Sequence, residues 1–228
     1  MSTIADNIAQ VRSRIRAAEQ AAQRAEHSVQ LLAVSKTKPA QALREAYAAG
    51  LRDFGENYLQ EALGKQVELT DLPLIWHFIG PIQSNKTRAI AEHFDWVHSV
   101  DRLKIAQRLS EQRPAELPPL NICIQVNVSG EASKSGCTPA DLPALANAIS
   151  ALPRLKLRGL MAIPEPTDDR TAQDAAFAAV QDLQASLALP LDTLSMGMSH
   201  DLESAIAQGA TWVRIGTALF GARDYGHS

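Results

Sequence analysis

The sequence predicts a (β/α)8 barrel, also called a TIM barrel, preceded by one extra helix. Three observations favour this fold class. Apolar runs typical of buried strands recur eight times, helical stretches rich in Ala, Leu, Glu and Arg separate them, and the chain has 228 residues. Strands that alternate with helices form parallel sheets, and eight such units in one domain of this length favour a closed barrel. An open doubly wound sheet is the alternative that the pattern leaves open.

The strands follow one another at a regular spacing, and no linker interrupts them. The eight predicted strands span residues 31–36, 52–57, 74–80, 96–100, 120–128, 157–163, 193–198 and 211–220. Gly50 and Gly209 are expected to end two of the intervening helices, as glycine often does. Asp101 is expected to open another helix. Thr138 and Pro139 are expected to open a further one, as an N-cap followed by a proline in the first turn.

The extra helix lies at the amino terminus. Ile4, Ile8, Val11 and Ile15 recur at spacings of four, three and four residues, which places them on one helix face. Thr3 and Asp6 fit the start of this helix. We therefore expect a single domain over residues 1–228, in which residues 1–26 form a helix packed on the barrel. A helix that binds a partner is the alternative.

Composition argues against several function classes. Hydrophobic residues make up 46% of the chain, and the net charge of −3 with scattered basic residues indicates no nucleic-acid partner. The first residues lack the apolar segment of a signal peptide. No apolar run approaches the ~18 residues of a transmembrane helix, so no membrane partner is expected. Cys123 and Cys137 form no paired framework, which favours a reducing, cytoplasmic location. No metal site is predicted.

The stretch LLAVSKTKP, residues 31–39, places a lysine at the mouth of the predicted core. Lys36 follows the first strand, and Pro39 is typical of the first residue of a helix. Active sites of (β/α)8 barrels lie at the carboxyl ends of the strands. Lys36 could therefore be a Schiff-base nucleophile, a phosphate ligand or a solvated strand end. Lys38 is expected to lie on the loop, in solvent.

A phosphate site is predicted where the chain passes through its last two strands. Gly197 permits a tight turn after the seventh strand, and Ser199 is expected to start the next helix. Gly216 and Thr217 then offer a bare backbone and a hydroxyl after the eighth strand. The loops after strands seven and eight are the recurrent phosphate site of this fold. Ser199 could be an ordinary N-cap, and Gly216 a strand kink. Together with Lys36 they suggest pyridoxal 5′-phosphate, or a phosphorylated sugar on an aldolase-like lysine.

Several motifs, in order along the chain, resemble a known family. They are AVSKTKP, FGENYLQE, WHFIGPIQSNK, VNVSGEASKSG, GLMAI and LSMGMSHDLESAI…VRIGTALFG. With these the chain resembles, from about residue 31 to residue 221, the pyridoxal phosphate homeostasis proteins. That single-domain family is related to the amino-terminal barrel of alanine racemase. The resemblance therefore implies the same barrel and pyridoxal 5′-phosphate as the cofactor.

The resemblance also implies roles for eight residues. Lys36 matches the lysine that holds the cofactor as an aldimine. The other matches are Ser199, Gly216 and Thr217 at the phosphate, Arg214 facing the pyridine nitrogen, Asn57 near the cofactor, and Met161 and Met198 as packing beside it. A guanidinium is effectively always protonated, so Arg214 would disfavour a proton on the pyridine nitrogen. The site is thus expected to hold the cofactor more than to drive electron withdrawal.

The function expected from these features is storage, buffering or delivery of pyridoxal 5′-phosphate by a non-catalytic, cytoplasmic monomer. PLP-dependent apoenzymes are possible partners. One alternative is an amino-acid racemase, which needs acid–base groups on both faces of its substrate. The chain ends soon after strand eight, which disfavours the racemase alternative. Tyr58 and His77 stay open as candidates for the second acid–base group. The other alternative is a module that senses the cofactor and docks on client apoenzymes.

Two further segments have open roles. The loop 129–137 is either a mobile connection or a lid in which Lys134 takes up phosphate or a second pyridoxal molecule. The segment QSNKTR either presents Asn85 and Lys86 to the site or begins a helix that carries solvated charge.

Overall fold

The computed structural model describes residues 2–131 and 135–222, and in them eight parallel strands close into a barrel. Each strand pairs with the next along the chain, and the first pairs with the last, with Leu32 opposite Arg214. The predicted fold class is confirmed. The strands are β1 (Gln30–Val34), β2 (Asp53–Glu56), β3 (Ile75–Phe78), β4 (Trp96–Val100), β5 (Leu120–Gln125), β6 (Leu155–Met161), β7 (Thr193–Ser195) and β8 (Trp212–Ile215).

Helices cover the outside of the barrel, and the apolar faces of both layers form the main core. In chain order they are α1 (Ile4–Ala21), α2 (Ala40–Ala48), α3 (Leu59–Glu68), α4 (Thr87–His93), α5 (Leu103–Gln112), α6 (Leu142–Ser150), α7 (Arg170–Ser186), α8 (Leu202–Ala207) and α9 (Thr217–Phe220). Gly50 and Gly209 follow α2 and α8 with φ near +105°. Left-handed backbone of this kind ends a helix at little cost only with glycine.

The amino-terminal helix α1 occupies the side of the barrel that the short α9 leaves uncovered. Thr3 and Asp6 form the expected capping box at its start. Ile8, Val11 and Ile15 are buried. The Asn7 amide donates a hydrogen bond of 2.8 Å to the Leu219 carbonyl in α9. Because α1 contacts both α8 and α9, it takes the place of an eighth outer helix.

Two of the expected helix starts are wrong. Helix α6 begins at Leu142, and the Thr138 hydroxyl accepts from the Asp141 amide in a separate turn before it. Helix α5 begins at Leu103, and the Asp101 carboxylate instead accepts a hydrogen bond of 3.3 Å from the Gly136 amide. The Thr138 bond runs to the amide three residues on, as an N-cap bond does, but it closes a turn outside α6. The Asp101 bond joins two loops and caps no helix.

A second, smaller core fills the inside of the barrel. It consists of Leu32, Trp96, Cys123, Met161 and Trp212, with Ile79 packed against it. Cys123 and Cys137 are free and buried, and burial raises the pKa of the Cys123 thiol to about 12. Within the described ranges, no helix is long and apolar enough to cross a membrane. The same ranges contain no group of three or more His, Cys, Asp or Glu side chains that could hold a metal ion.

Candidate functional site

A cavity of about 210 Å³ opens at the carboxyl ends of the strands. Its walls come from the segments that follow β1, β2, β3, β6, β7 and β8. Seven of the eight predicted site residues line it, namely Lys36, Asn57, Met198, Ser199, Arg214, Gly216 and Thr217. Met161 does not: its side chain is fully buried in the inner core, below the cavity.

The turn that carries Lys36 is held in an unusual backbone conformation. Thr37 has φ +65°, which is strained for a β-branched residue. Its amide donates to the Glu61 carboxylate at 2.5 Å. The Lys65 ammonium donates to the same carboxylate at 2.7 Å and to the Ser35 carbonyl at 2.7 Å. Two side chains of α3 thus hold the backbone on both sides of Lys36.

A buried carboxylate completes this cluster. Glu56, at the end of β2, is fully buried. It accepts from the Lys65 ammonium at 2.6 Å and from the Ser35 hydroxyl at 3.0 Å. Burial raises the pKa of Glu56, and the charge and hydrogen bond of Lys65 oppose that rise. Since Lys65 is itself only 5% exposed, the charge pair lies almost entirely out of water.

Two hydroxyl groups meet in the segments after β7 and β8, and β8 is the strand that pairs with β1. The Thr217 and Ser199 hydroxyl oxygens lie 3.4 Å apart. Ser199 does not start α8 as expected, because the helix begins at Leu202 and the Asp201 carboxylate accepts from the Met198 amide at 2.7 Å. Ser199 lies instead on the loop before α8, and it lines the cavity together with Gly216.

Gly197 and Arg14 both shape the loop that carries Ser199. Gly197 has φ +102°, and a Cβ there would lie 2.6 Å from the Ala205 Cβ, so only glycine fits. From α1, the Arg14 guanidinium donates to the Ser199 carbonyl at 2.8 Å while it pairs with Glu203 at 2.8 Å. The amino-terminal helix therefore fixes the loop that carries Ser199.

Asn57 lines the cavity and has an unpaired side-chain oxygen. Its Oδ1 is buried without a hydrogen-bond partner, although buried polar groups are nearly always paired. The backbone of Asn57 also packs against Gly80, where a Cβ would collide with the Asn57 carbonyl. An orphaned acceptor in a cavity wall is what a ligand with a hydrogen-bond donor would satisfy.

Arg214 closes the floor of the cavity. It is 4% exposed and donates to the Ser195 hydroxyl at 2.8 Å and to the Ala162 carbonyl at 3.0 Å. Burial lowers the pKa of Arg214 to about 10, and the negative charge of Asp201 opposes that change. At neutral pH the guanidinium is still a cation, so the floor of the cavity is positively charged.

Sequence reasoning missed several wall residues. Thr37, Ile79, Ile163 and His200 line the cavity too. Lys38, expected in solvent, lies in the wall, where its ammonium donates to the Ala222 carbonyl at 3.0 Å. Ile79 and Ile163 lie at the ends of the predicted strands 74–80 and 157–163. An apolar residue at a strand end is equally typical of the core, so the sequence carries no separate signal for them.

The other candidates lie away from the cavity or outside the described residues. Tyr58 is 49% exposed beside α3, and His77 is fully buried inside the barrel. Asn85 and Lys86 form a 3₁₀ turn that leads into α4, which agrees with the helix-start alternative. Lys134 lies outside the described residues. Neither Tyr58 nor His77 is placed to act on a ligand in the cavity.

Known proteins are similar to this chain over nearly its whole length. The family described as "Alanine racemase, N-terminal domain" matches residues 4–224. The pyridoxal phosphate homeostasis protein of Pseudomonas aeruginosa is 79% identical over 226 residues, 99% of this chain and 98% of its own length. PipY of Synechococcus elongatus, solved with PLP bound, is 46% identical with a TM-score of 0.85 over 96% of this chain and 100% of that one. Alanine racemase of Corynebacterium glutamicum, at 18% identity and a TM-score of 0.69, shares the fold over 62% of its chain.

Proposed function

Because this chain belongs to the family of pyridoxal phosphate homeostasis proteins, within the alanine racemase N-terminal domain family, we propose that it binds pyridoxal 5′-phosphate in the cavity through Lys36. Its function is to store, buffer or deliver this cofactor. The observation that carries the proposal is that one cavity is lined by Lys36 and by the Ser199 and Thr217 hydroxyl pair.

The donors and acceptors of the wall fit the cofactor. The hydroxyls of Ser199 and Thr217 and the backbone of Gly216 suit a phosphate group, since hydrogen bonds to a charged acceptor are strong. The orphaned Oδ1 of Asn57 suits a hydroxyl donor. Pyridoxal 5′-phosphate supplies an aldehyde that condenses reversibly with amines, and Lys36 supplies the amine.

We infer further that the protein is a carrier and not an enzyme. Arg214 keeps a positive charge at the floor of the cavity, where a proton on a pyridine nitrogen would be disfavoured. Many pyridoxal enzymes place a carboxylate there to keep that nitrogen protonated. Tyr58 and His77 are the two candidates for a second acid–base group, and neither lines the cavity. We propose a monomer in the cytoplasm, the latter on the support of two buried free thiols.

Covalent attachment is tested with Lys36→Ala and, as the matched control, Lys38→Ala, which removes the neighbouring lysine of the same wall. We expect pyridoxal 5′-phosphate to colour the unchanged protein and the control, and borohydride reduction with peptide mapping to label Lys36. Lys36→Ala should fold, as circular dichroism would show, and take no label. A label on Lys38 in the unchanged protein would contradict the assignment.

Delivery is tested with the apo form of a PLP-dependent enzyme, the class of partner that we propose. The loaded protein is mixed with the apoenzyme, or kept from it by a dialysis membrane, at equal total cofactor. Recovery of enzyme activity in both arrangements indicates release through solution, and faster recovery on mixing indicates transfer by contact. If no cofactor passes in either arrangement, the protein is not a carrier.

A further inference from the structure

A line of hydrogen-bonded side chains crosses the barrel from its amino-terminal mouth to the floor of the cavity. Asp53 Oδ1 lies 2.8 Å from His77 Nε2, and His77 Nδ1 lies 2.9 Å from His98 Nε2. His98 Nδ1 lies 2.8 Å from Ser195 Oγ, which lies 2.8 Å from Nη1 of Arg214. Four consecutive contacts therefore join Asp53 to the guanidinium under the cavity.

The middle of this line is sealed from water. His77, His98 and Ser195 are fully buried. His77 stacks on Trp96 with ring centroids 5.4 Å apart, and the Trp212 ring lies 4.9 Å away on another side. Burial lowers the pKa of His77, against the opposing effect of Asp53, and lowers the pKa of His98 further. Burial therefore favours the neutral form of both imidazoles, in which each carries one N–H.

The carboxylate at one end sets the direction of every hydrogen bond. A carboxylate only accepts, so His77 donates from Nε2 and its Nδ1 must accept. His98 then donates from Nε2 to His77, and its own Nδ1 accepts the Ser195 hydroxyl. The Ser195 oxygen keeps its lone pairs for Arg214. A guanidinium only donates, so all four contacts are satisfied in one direction.

We propose that Asp53 is a positioning residue for the cavity: it fixes the tautomers of His77 and His98 and thereby orients Ser195 to hold the Arg214 guanidinium. The Asp53 side chain, 21% exposed, reaches solvent at the far mouth of the barrel, where it never contacts a ligand in the cavity. With the second bond from Arg214 to the Ala162 carbonyl, this arrangement fixes the plane of the guanidinium.

An asparagine at position 53 removes the constraint without removing the contact. Its amide can accept from His77 through Oδ1 or donate to it through Nδ2. In the second case both histidines carry their proton on Nδ1, and the Ser195 oxygen accepts from His98 and Arg214 together. Each contact of the line still has one donor and one acceptor in this pattern, and of these groups only the Ser195 hydroxyl proton loses its acceptor. His98 should therefore change tautomer although it does not touch residue 53.

The test is long-range ¹H–¹⁵N NMR of histidine side chains in the cofactor-free protein, which reads the tautomers directly. We expect both His77 and His98 to carry the proton on Nε2, and Asp53→Asn to convert a large part of both to Nδ1. The matched control is Asp95→Asn, because Asp95 acts on His77 through its charge but accepts from the Trp76 amide instead. Protons on Nδ1 in the unchanged protein, or an unchanged His98 in Asp53→Asn, would overturn the proposal.

A second readout rests on the proposed function. The absorbance of bound pyridoxal 5′-phosphate is titrated with pH in the same three proteins. We expect its midpoint to shift upward in Asp53→Asn and not in Asp95→Asn. A Ser195 oxygen that also accepts from His98 holds the Arg214 guanidinium less firmly, and a guanidinium held less firmly opposes a nearby proton less. An unshifted midpoint would show that Asp53 does not position Arg214. If the unchanged protein binds no cofactor, the proposed function fails, while the tautomer measurement still decides the hydrogen-bond direction.

Discussion

Replacing Lys65 with methionine should expose how much the turn around Lys36 depends on one buried charge. Lys65→Met keeps the length of the side chain and removes the ammonium that donates to Ser35, Glu56 and Glu61. Glu56 is fully buried, so in the variant its carboxylate has only the Ser35 hydroxyl left as a partner among these groups.

The loss should be large because the pair lies out of water. Breaking a buried pair by removing one partner typically costs about 3–5 kcal/mol, since the remaining charge is uncompensated. Whole domains are stable by only about 5–15 kcal/mol. We therefore expect urea unfolding of Lys65→Met to show about 3–5 kcal/mol less stability at pH 8 than the unchanged protein.

The deficit should shrink in acid. Burial already raises the pKa of Glu56 in the folded protein, and Lys65 holds that rise back. Without Lys65 the folded pKa rises further above its unfolded value. A carboxyl with a raised folded pKa stabilises the fold fully below the unfolded pKa of about 4.3, and that contribution is lost as pH increases through the folded pKa. The variant should therefore be closer to the unchanged protein at pH 5 than at pH 8.

Two controls decide whether the buried charge is the cause. Lys65→Met with Glu56→Gln removes both charges and should recover most of the stability. Arg44→Met breaks the exposed pair with Asp71 on the surface and should change stability little, because exposed pairs contribute little. If Lys65→Met loses no more than Arg44→Met, or if Glu56→Gln restores nothing, the reasoning from burial is wrong.

Two further predictions concern the cavity. Ser199→Ala and Thr217→Ala should each weaken binding of pyridoxal 5′-phosphate by about 1 kcal/mol or more, because hydrogen bonds to a charged group contribute ~1.5–3 kcal/mol. They should weaken binding of unphosphorylated pyridoxal far less, and equal losses by calorimetry would place the phosphate elsewhere. In heavy water, the loaded protein should exchange the α-proton of L-alanine slowly and form no matching D-alanine. Rapid exchange with inversion, lost in Lys36→Ala, would establish a racemase.

Local pattern was enough to predict the fold and the order of its elements. Buried parallel strands form short apolar runs, and these runs predicted all eight strands. The seventh and eighth strands are shorter than expected, 193–195 and 212–215 in place of 193–198 and 211–220. Gly197 turns the chain at positive φ after the seventh, and α9 begins at Thr217 after the eighth. Such ends depend on backbone geometry that apolar periodicity does not encode.

The site was predictable where its residues follow a strand and match the family motifs, and not elsewhere. Lys36, Asn57, Ser199 and Thr217 satisfy both conditions and line the cavity. Met161 matches a motif but is the last residue of β6 and does not follow the strand, and it lies in the inner core. Contacts that span the barrel could not be predicted, because no local pattern specifies which strands lie opposite one another.

The cavity joins the first strand to the last two, and this bears on how the cofactor could be held and released. Lys36 follows β1, while Ser199 and Thr217 follow β7 and β8. A ligand attached to Lys36 and bound by both hydroxyls would span the seam at which the barrel closes, and so stabilise the folded state by linkage. The attachment at each end is reversible by itself. A competing amine would displace Lys36 while the hydroxyls kept the phosphate, so the proposed release would proceed in two steps, which would suit the proposed role as a carrier.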